Sequence, residues 1–210
     1  MRPTRRRGVI FAVDCRMPEE ADQIRKLQEK IALYEDMRAY EELYGLLAKG
    51  LQRFCAAFVK SGEAAEEIVS DVFIKLWLIR GRLTEIENLK VYAYTIARNF
   101  CYNYLTRHYK KVVLSLDDVD PDILFTAEDP EALCISSDAI EKIRQAVRQL
   151  PPQCRMIFQL VREEGMPYKD VAEVLHVSVL TVRNQVAIAT RKIAALLPEG
   201  IQSLPVRRDV

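Results

Sequence analysis

The stretch from Pro167 to Leu197 reads PYKDVAEVLHVSVLTVRNQVAIATRKIAALL, and its punctuation sets the fold of the C-terminal end. The spacing predicts a short helix over Tyr168–Leu175 that buries Val171, Ala172 and Leu175, followed by a three-residue turn, His176-Val177-Ser178. Ser178 suits the N-cap of a second helix over Val179–Leu197, because its hydroxyl can accept a backbone N–H that the first helical turn leaves unpaired. At about 100° per residue, Val182, Val186, Ala189, Ile193 and Leu196 fall on one face and Leu180, Asn184, Ala187, Ile188 and Arg191 on the other. Two helices joined so tightly, the second carrying polar residues at its exposed N-terminal end, form the helix-turn-helix pattern. A helix N-terminus offers free N–H groups and positive potential to phosphates, while its outward side chains reach base edges in the major groove. Ser178 and Thr181 would then meet phosphate and Arg183, Asn184 and Gln185 would read bases, arginine pairing with guanine and the amides with adenine. The alternative is a helical hairpin with a solvated polar face. His176 is read as a cap or surface residue, since no second His or Cys stands near it at metal-ligand spacing.

Moving upstream, Leu150-Pro151-Pro152 stops a helix over Asp138–Gln149 and opens another over Gln153–Glu164, with Pro152 in the first turn and Gly165 at the end. Between Val112 and Asp138 every charged residue is acidic: Asp117, Asp118, Asp120, Asp122, Glu128, Asp129, Glu131 and Asp138. With Pro121 and Pro130 and no sustained period, this stretch is read as an acidic flexible linker between two helical domains. It is either a plain solvated loop or an acidic strand that occupies a partner's basic channel or shields a basic face of its own chain.

Before the linker, Glu19–Glu35 carries Ile24, Leu27, Ile31 and Tyr34 at helical spacing and is expected either to stand alone or to run into the next helix. That next helix, Met37–Val59, has a wide stripe of Tyr40, Leu43, Tyr44, Leu47, Leu51, Phe54 and Phe58. Ser61-Gly62 breaks the chain, and Ser61 can cap the third helix. Glu63–Arg80 buries Ala65, Ile68, Val69, Val72, Leu76 and Ile79, with Phe73 at the edge. Its opposite face holds Glu67, Ser70, Asp71, Ile74 and Leu78, with Trp77 on the flank. Large aliphatics facing outward among carboxylates mark a partner surface, unless the first helix or the linker covers them. From Asn88 to Lys111 the charged residues are all basic: Lys90, Arg98, Arg107, Lys110 and Lys111. There the stripe Leu89, Tyr92, Ala93, Ile96 and Phe100 is expected inward, Tyr94, Arg98, Tyr102 and Tyr109 elsewhere, and Asn99 and Asn103 at the border. Aromatics and amides interleaved with cations suit unstacked bases and a phosphate backbone, although tyrosines at this spacing also build cores.

Composition bounds the rest. A chain of 210 residues allows one domain or two small ones, and 50% apolar with 29% charged residues excludes a wholly disordered or fibrous protein. Only 7 glycines favours helices over strands joined by tight turns. The 31 basic and 30 acidic side chains balance, so any polyanion-binding signal is local. Cys15, Cys55, Cys101, Cys134 and Cys154 are odd in number and lack metal-knuckle spacing, which reads as reduced thiols in a cytoplasmic protein with no metal. The start, MRPTRRRGVIFAVDC, has too short an apolar run for a secretory signal and nothing else approaches a bilayer span, so no membrane insertion is expected. Residues 1–18 and 198–210 read as tails, and Met1, Met17 and Met37 all stay open as translation starts.

Three motifs in order, DVFIKLW (Asp71–Trp77), NLKVYAYTIARNFCYNYL (Asn88–Leu105) and the Leu150–Val186 segment that runs into the helix-turn-helix, give the chain a resemblance to bacterial RNA polymerase sigma factors. It most resembles the small extracytoplasmic-function (ECF) group of the sigma-70 family, over about Tyr40–Leu197. The resemblance implies an all-α protein of two small domains, 19–111 and 138–197, and a specificity subunit that is not an enzyme and needs no cofactor. It implies that Glu67, Ser70, Asp71, Ile74, Trp77 and Leu78 grip core RNA polymerase. Tyr92, Arg98, Asn99 and Asn103 would engage the minus-ten element, and the Arg80–Leu89 loop would accept a flipped base of it. The Ser178–Arg191 helix, with Ser178, Thr181, Arg183, Asn184, Gln185 and Arg191, would bind the minus-thirty-five element. Tyr92 stands where the family often has tryptophan, and Ile188 where many relatives carry a basic residue. Partners implied are core polymerase and promoter DNA, with an anti-sigma factor left open. The runner-up is a stand-alone helix-turn-helix regulator whose N-terminal half dimerises or senses, and a helical adaptor without DNA comes third.

Overall fold

A computed structural model describes residues 17–108 and 145–196. The acidic stretch 112–137, most of the helix expected over Asp138–Gln149, residues 1–16 and 197–210, Tyr109, Cys15 and Cys134 lie outside the described residues, and the first helix begins at Met17, within the tail expected over 1–18. The helices are α1 Met17–Tyr34, α2 Met37–Val59, α3 Gly62–Leu78, α4 Leu89–His108, α5 Pro152–Arg162, α6 Tyr168–Leu175 and α7 Val179–Leu196. A 3-10 segment, Arg80–Glu85, lies between α3 and α4, and a helical turn at 145–148 precedes α5. No strand occurs among the described residues.

Local chemistry explains the boundaries. α1 and α2 are separate helices: Glu35 takes a left-handed φ of 50°, and the Asp36 carboxylate accepts the N–H groups of Arg38 (2.9 Å) and Ala39 (3.2 Å). Asp36→Ala is therefore expected to lower stability by about 1 kcal/mol, and Asp36→Asn, which keeps the acceptor, by much less; urea denaturation of the full chain checks both. Lys60 closes α2 in a left-handed conformation, and Ser61 Oγ caps α3 by accepting the N–H of Ala64 (3.3 Å). Pro152 occupies the first turn of α5, where its missing N–H costs nothing, and Gly165 supplies the positive φ beyond the end of that helix.

Two expectations are corrected by packing. α3 ends at Leu78, not at Arg80, because the chain turns to bury Leu83 completely, and the Gln28 side-chain amide from α1 donates to the carbonyls of Leu83 (3.0 Å) and Ile86 (3.1 Å). On α4 the inward face is rotated: Tyr94 is fully buried, with Val91, Ala97, Cys101 and Leu105, whereas Tyr92 and Phe100 are only half-buried. The reason is that α4 packs against α2, α3 and α6, so one stripe does not describe it.

α2 is the central helix, touching α1, α3 and α4. The same buried cluster continues into Met156, Ile157 and Leu160 of α5, Met166, and Val171, Val174 and Leu175 of α6, so helices from both halves of the chain share apolar packing. A smaller cluster joins Ala146, Val147, Leu150 and Cys154 to Ala189 and Ile193 of α7. Cys55, Cys101 and Cys154 are buried free thiols. The Cys55 thiol is held well above its ordinary range by its hydrogen bond with Cys101 and then by burial, which keeps it protonated and unreactive.

Candidate nucleic-acid and partner interface

α3 presents Glu67, Ser70 and Asp71 to solvent together with Ile74 (57% exposed) and Leu78 (73%), and α1 does not cover them. Trp77 is half-buried: its ring lies 5.0 Å from that of Tyr40 and beneath the Arg80 guanidinium at 4.9 Å. Arg80 is fixed in turn by Glu35 (2.9 Å). The Tyr40 hydroxyl donates to the Phe73 carbonyl, and burial pushes the phenol up to about 12. This aromatic floor joins α2 to α3, and α2 adds exposed Met37 (56%) and Tyr44 (48%), the latter 4.6 Å from the Phe73 ring. Tyr44, expected in the inward stripe, therefore extends the outward apolar face. Periodicity alone missed it because the stripe of α2 is wide enough to spill over its edge.

On α4, Asn99 and Asn103 are exposed and share one stripe with half-buried Tyr92, at offsets of seven and eleven residues. Arg98 is set apart on a neighbouring face. Its guanidinium covers the Tyr102 ring at 4.5 Å and donates to the Tyr102 hydroxyl at 3.3 Å, which presents the cation as part of a stacked pair. The 3-10 segment that precedes α4 borders a cavity of about 300 Å³ lined by Arg25, Gln28, Glu29, Thr84, Ile86 and Glu87. Asn88, at the mouth of α4, donates to Asp170 of α6 at 2.8 Å. Burial raises the Asp170 carboxyl, and the Asn88 hydrogen bond partly offsets it.

The C-terminal motif is built as its punctuation implies. His176 adopts φ 53°, a left-handed C-cap for α6. Ser178 Oγ accepts the Thr181 N–H (2.9 Å) and pairs with Thr181 Oγ1 (2.8 Å), so these hydroxyls organise the start of α7. Val182, Val186, Ala189 and Ile193 are buried, and Arg183 and Asn184 stand exposed beside them. Gln185 is half-buried and its carbonyl accepts the Cys154 thiol (3.3 Å), which ties α7 to α5. Arg191 is exposed, its Nε donating to the Ala187 carbonyl (3.2 Å), roughly 12 Å along the helix from Arg183. Leu180 and Ile188 face solvent on the same helix. Among the described residues there is no group of three or more His, Cys, Asp or Glu that could hold a metal ion, and no helix is long and apolar enough to cross a membrane.

Residues 40–111 match the family description Sigma-70 region 2, and residues 140–193 match Sigma-70, region 4. RNA polymerase sigma-H factor of Pseudomonas aeruginosa is 25% identical over 185 residues, covering 81% of this chain and 90% of that protein. ECF RNA polymerase sigma factor SigM of Bacillus subtilis is 21% identical, covering 77% and 96%, and ECF RNA polymerase sigma-E factor of Escherichia coli is 22% identical, covering 77% and 90%. Two solved structures share the fold. CnrH, determined in complex with the cytosolic domain of CnrY, has a TM-score of 0.52 at 19% identity over 83% of this chain and 97% of that one. RpoE of Bartonella quintana, in complex with the anti-sigma factor NepR, has a TM-score of 0.50 at 23% identity over 74% and 94%. With a region 2 bundle carrying an outward apolar face and a region 4 helix-turn-helix on one chain, this protein belongs to the sigma-70 family and is a sigma factor of its ECF group.

Proposed function

We propose that this sigma factor docks on core RNA polymerase through the α3 face of Glu67, Ser70, Asp71, Ile74, Trp77 and Leu78, and opens promoter DNA through α4 and the segment before it. The observation that carries the reading is the pair Ile74 and Leu78, large aliphatics left in solvent among carboxylates on a helix whose other side is a complete core. Tyr92, Asn99 and Asn103 form the reading stripe for the minus-ten strand, with Arg98 at its edge, and Arg183, Asn184 and Gln185 read the minus-thirty-five duplex while Ser178, Thr181 and Arg191 meet its backbone. Residues 19–111 and 138–197 act as two weak binding units aligned by the polymerase, which turns the second contact into an intramolecular one. The chain supplies specificity in the cytoplasm and the polymerase supplies the chemistry. An anti-sigma factor that covers these faces fits the same surfaces. The test is transcription in vitro from genomic DNA fragments with core polymerase, with and without the chain: new start sites that depend on it support the reading, and a transcript pattern identical to that of core alone overturns it.

A further inference from the structure

α7 carries two large aliphatic side chains that neither the core nor the proposed DNA contacts use. Leu180 is 63% exposed and Ile188 36% exposed, although the buried side of the helix is complete with Val182, Val186, Ala189 and Ile193. At about 100° per residue, Leu180, Asn184, Ile188 and Arg191 lie within roughly 80° of one another around the middle of the outward face. Arg183 and Gln185 stand on its flanks, and Gln185 is half-buried. The middle of the face therefore runs aliphatic, amide, aliphatic at four-residue steps. Its surroundings are cationic: α7 carries Arg183, Arg191 and Lys192 and no carboxylate, and Ser178 and Thr181 organise its first turn. A polyanion suits that charge, and the apolar group that a DNA major groove offers is the C5-methyl of thymine.

We infer that Leu180 and Ile188 are specificity-determining residues that pack on thymine methyl groups of the upstream element, on either side of an adenine held by Asn184. This rests on the assignment of α7 to the minus-thirty-five duplex. Leu180 and Ile188 are roughly 12 Å apart along the helix at about 1.5 Å per residue. At roughly 3.4 Å per base pair, a helix lying along the groove sets the two methyl contacts about three to four base pairs apart. An amide reads the N6 and N7 edge of adenine, and the flanking aliphatics shield that pair from water. Burying one methyl group corresponds to about a fourfold change in affinity. Cytosine in place of thymine would set its N4 amino donor against the aliphatic side chain, without a partner.

Deoxyuridine, which differs from thymine only in lacking the methyl group, tests these contacts. Promoter fragments bound and transcribed by the full chain with core polymerase supply the upstream element, and each of its thymines is replaced singly by deoxyuridine in the duplex. With the unaltered chain, competition binding should show about a fourfold loss at a pair of positions about three to four base pairs apart. Leu180→Ala should abolish the difference between thymine and deoxyuridine at one of these positions and Ile188→Ala at the other. Ile188→Arg should move the preference at its position from thymine to guanine by about tenfold, since a guanidinium pairs with the O6 and N7 of guanine. Circular dichroism checks each variant, and the deoxyuridine series on the unaltered chain is decisive even where a variant fails to fold. Equal binding of every deoxyuridine duplex overturns the methyl contacts, as does a penalty that persists in both folded alanine variants. Weaker binding of these variants to core polymerase, with thymine and deoxyuridine equal, would place a protein surface over Leu180 and Ile188 and overturn them too. If Arg183→Ala flattens upstream preference while the deoxyuridine duplexes bind equally, α7 still reads the duplex and only the methyl contacts are wrong. If neither change has an effect, the assignment of α7 fails with them.

Discussion

Replacing Ile74 with aspartate is expected to weaken binding to core RNA polymerase by about 2 kcal/mol or more, a loss of roughly thirtyfold, while the fold survives. Ile74 is 57% exposed in the free chain, so aspartate there removes little from the core and leaves no buried charge. In a complex the same side chain, flanked by Leu78 and by the Tyr40, Phe73 and Trp77 rings, would sit in the desolvated centre of the interface, where a carboxylate has no partner. Asp71→Lys, at the polar rim, is expected to cost under about 1 kcal/mol and to act mainly on association rate and salt dependence. Equilibrium titration of labelled core polymerase, with circular dichroism on each variant, measures the difference. Equal affinities for the unaltered chain and Ile74→Asp would remove the α3 face from the interface.

A comparable effect, on a different step, is expected from the two DNA surfaces. Arg183 and Asn184 project from the capped N-terminus of α7 and should read intact duplex, so alanine at either is expected to flatten upstream base preference by roughly 1–3 kcal/mol for each bidentate hydrogen-bonded pair it removes. Asn99 and Asn103 lie exposed on α4, the helix proposed to meet the minus-ten strand, where a base must leave the stack before protein can read it. Asn99→Ala and Asn103→Ala are therefore expected to reduce open-complex formation about tenfold on duplex promoters and far less on templates already mismatched across the minus-ten element. Permanganate reactivity of the opened thymines on matched duplex and pre-melted templates separates the two behaviours. Normal melting by the asparagine variants, or an unaltered upstream preference in Arg183→Ala, would break the division of labour between α4 and α7.

Most helices and the helix-turn-helix were legible in the sequence because the forces that make them are local. Ser178, Ser61 and Pro152 act within one turn of where they stand, and the period of Val182, Val186, Ala189 and Ile193 already states which side of α7 is buried. The outward placement of Ile74 and Leu78 comes from the same arithmetic, since the opposite side of α3 is filled. Tertiary packing decided the remainder. Whether α1 ran into α2 rested on a single left-handed residue and its neighbour's cap. The inward side of α4 is not given by one periodic stripe because such a stripe assumes one neighbour, and α4 packs against α2, α3 and α6, so Tyr94 is enclosed and Tyr92 is not. Tyr44 faces outward because the Phe73 ring leaves it a place at the edge and not beneath. The ion pairs of Arg53 (2.7 Å) and Lys90 (3.9 Å) with Glu164 lie beyond any local signal, because they join residues more than seventy positions apart in the chain.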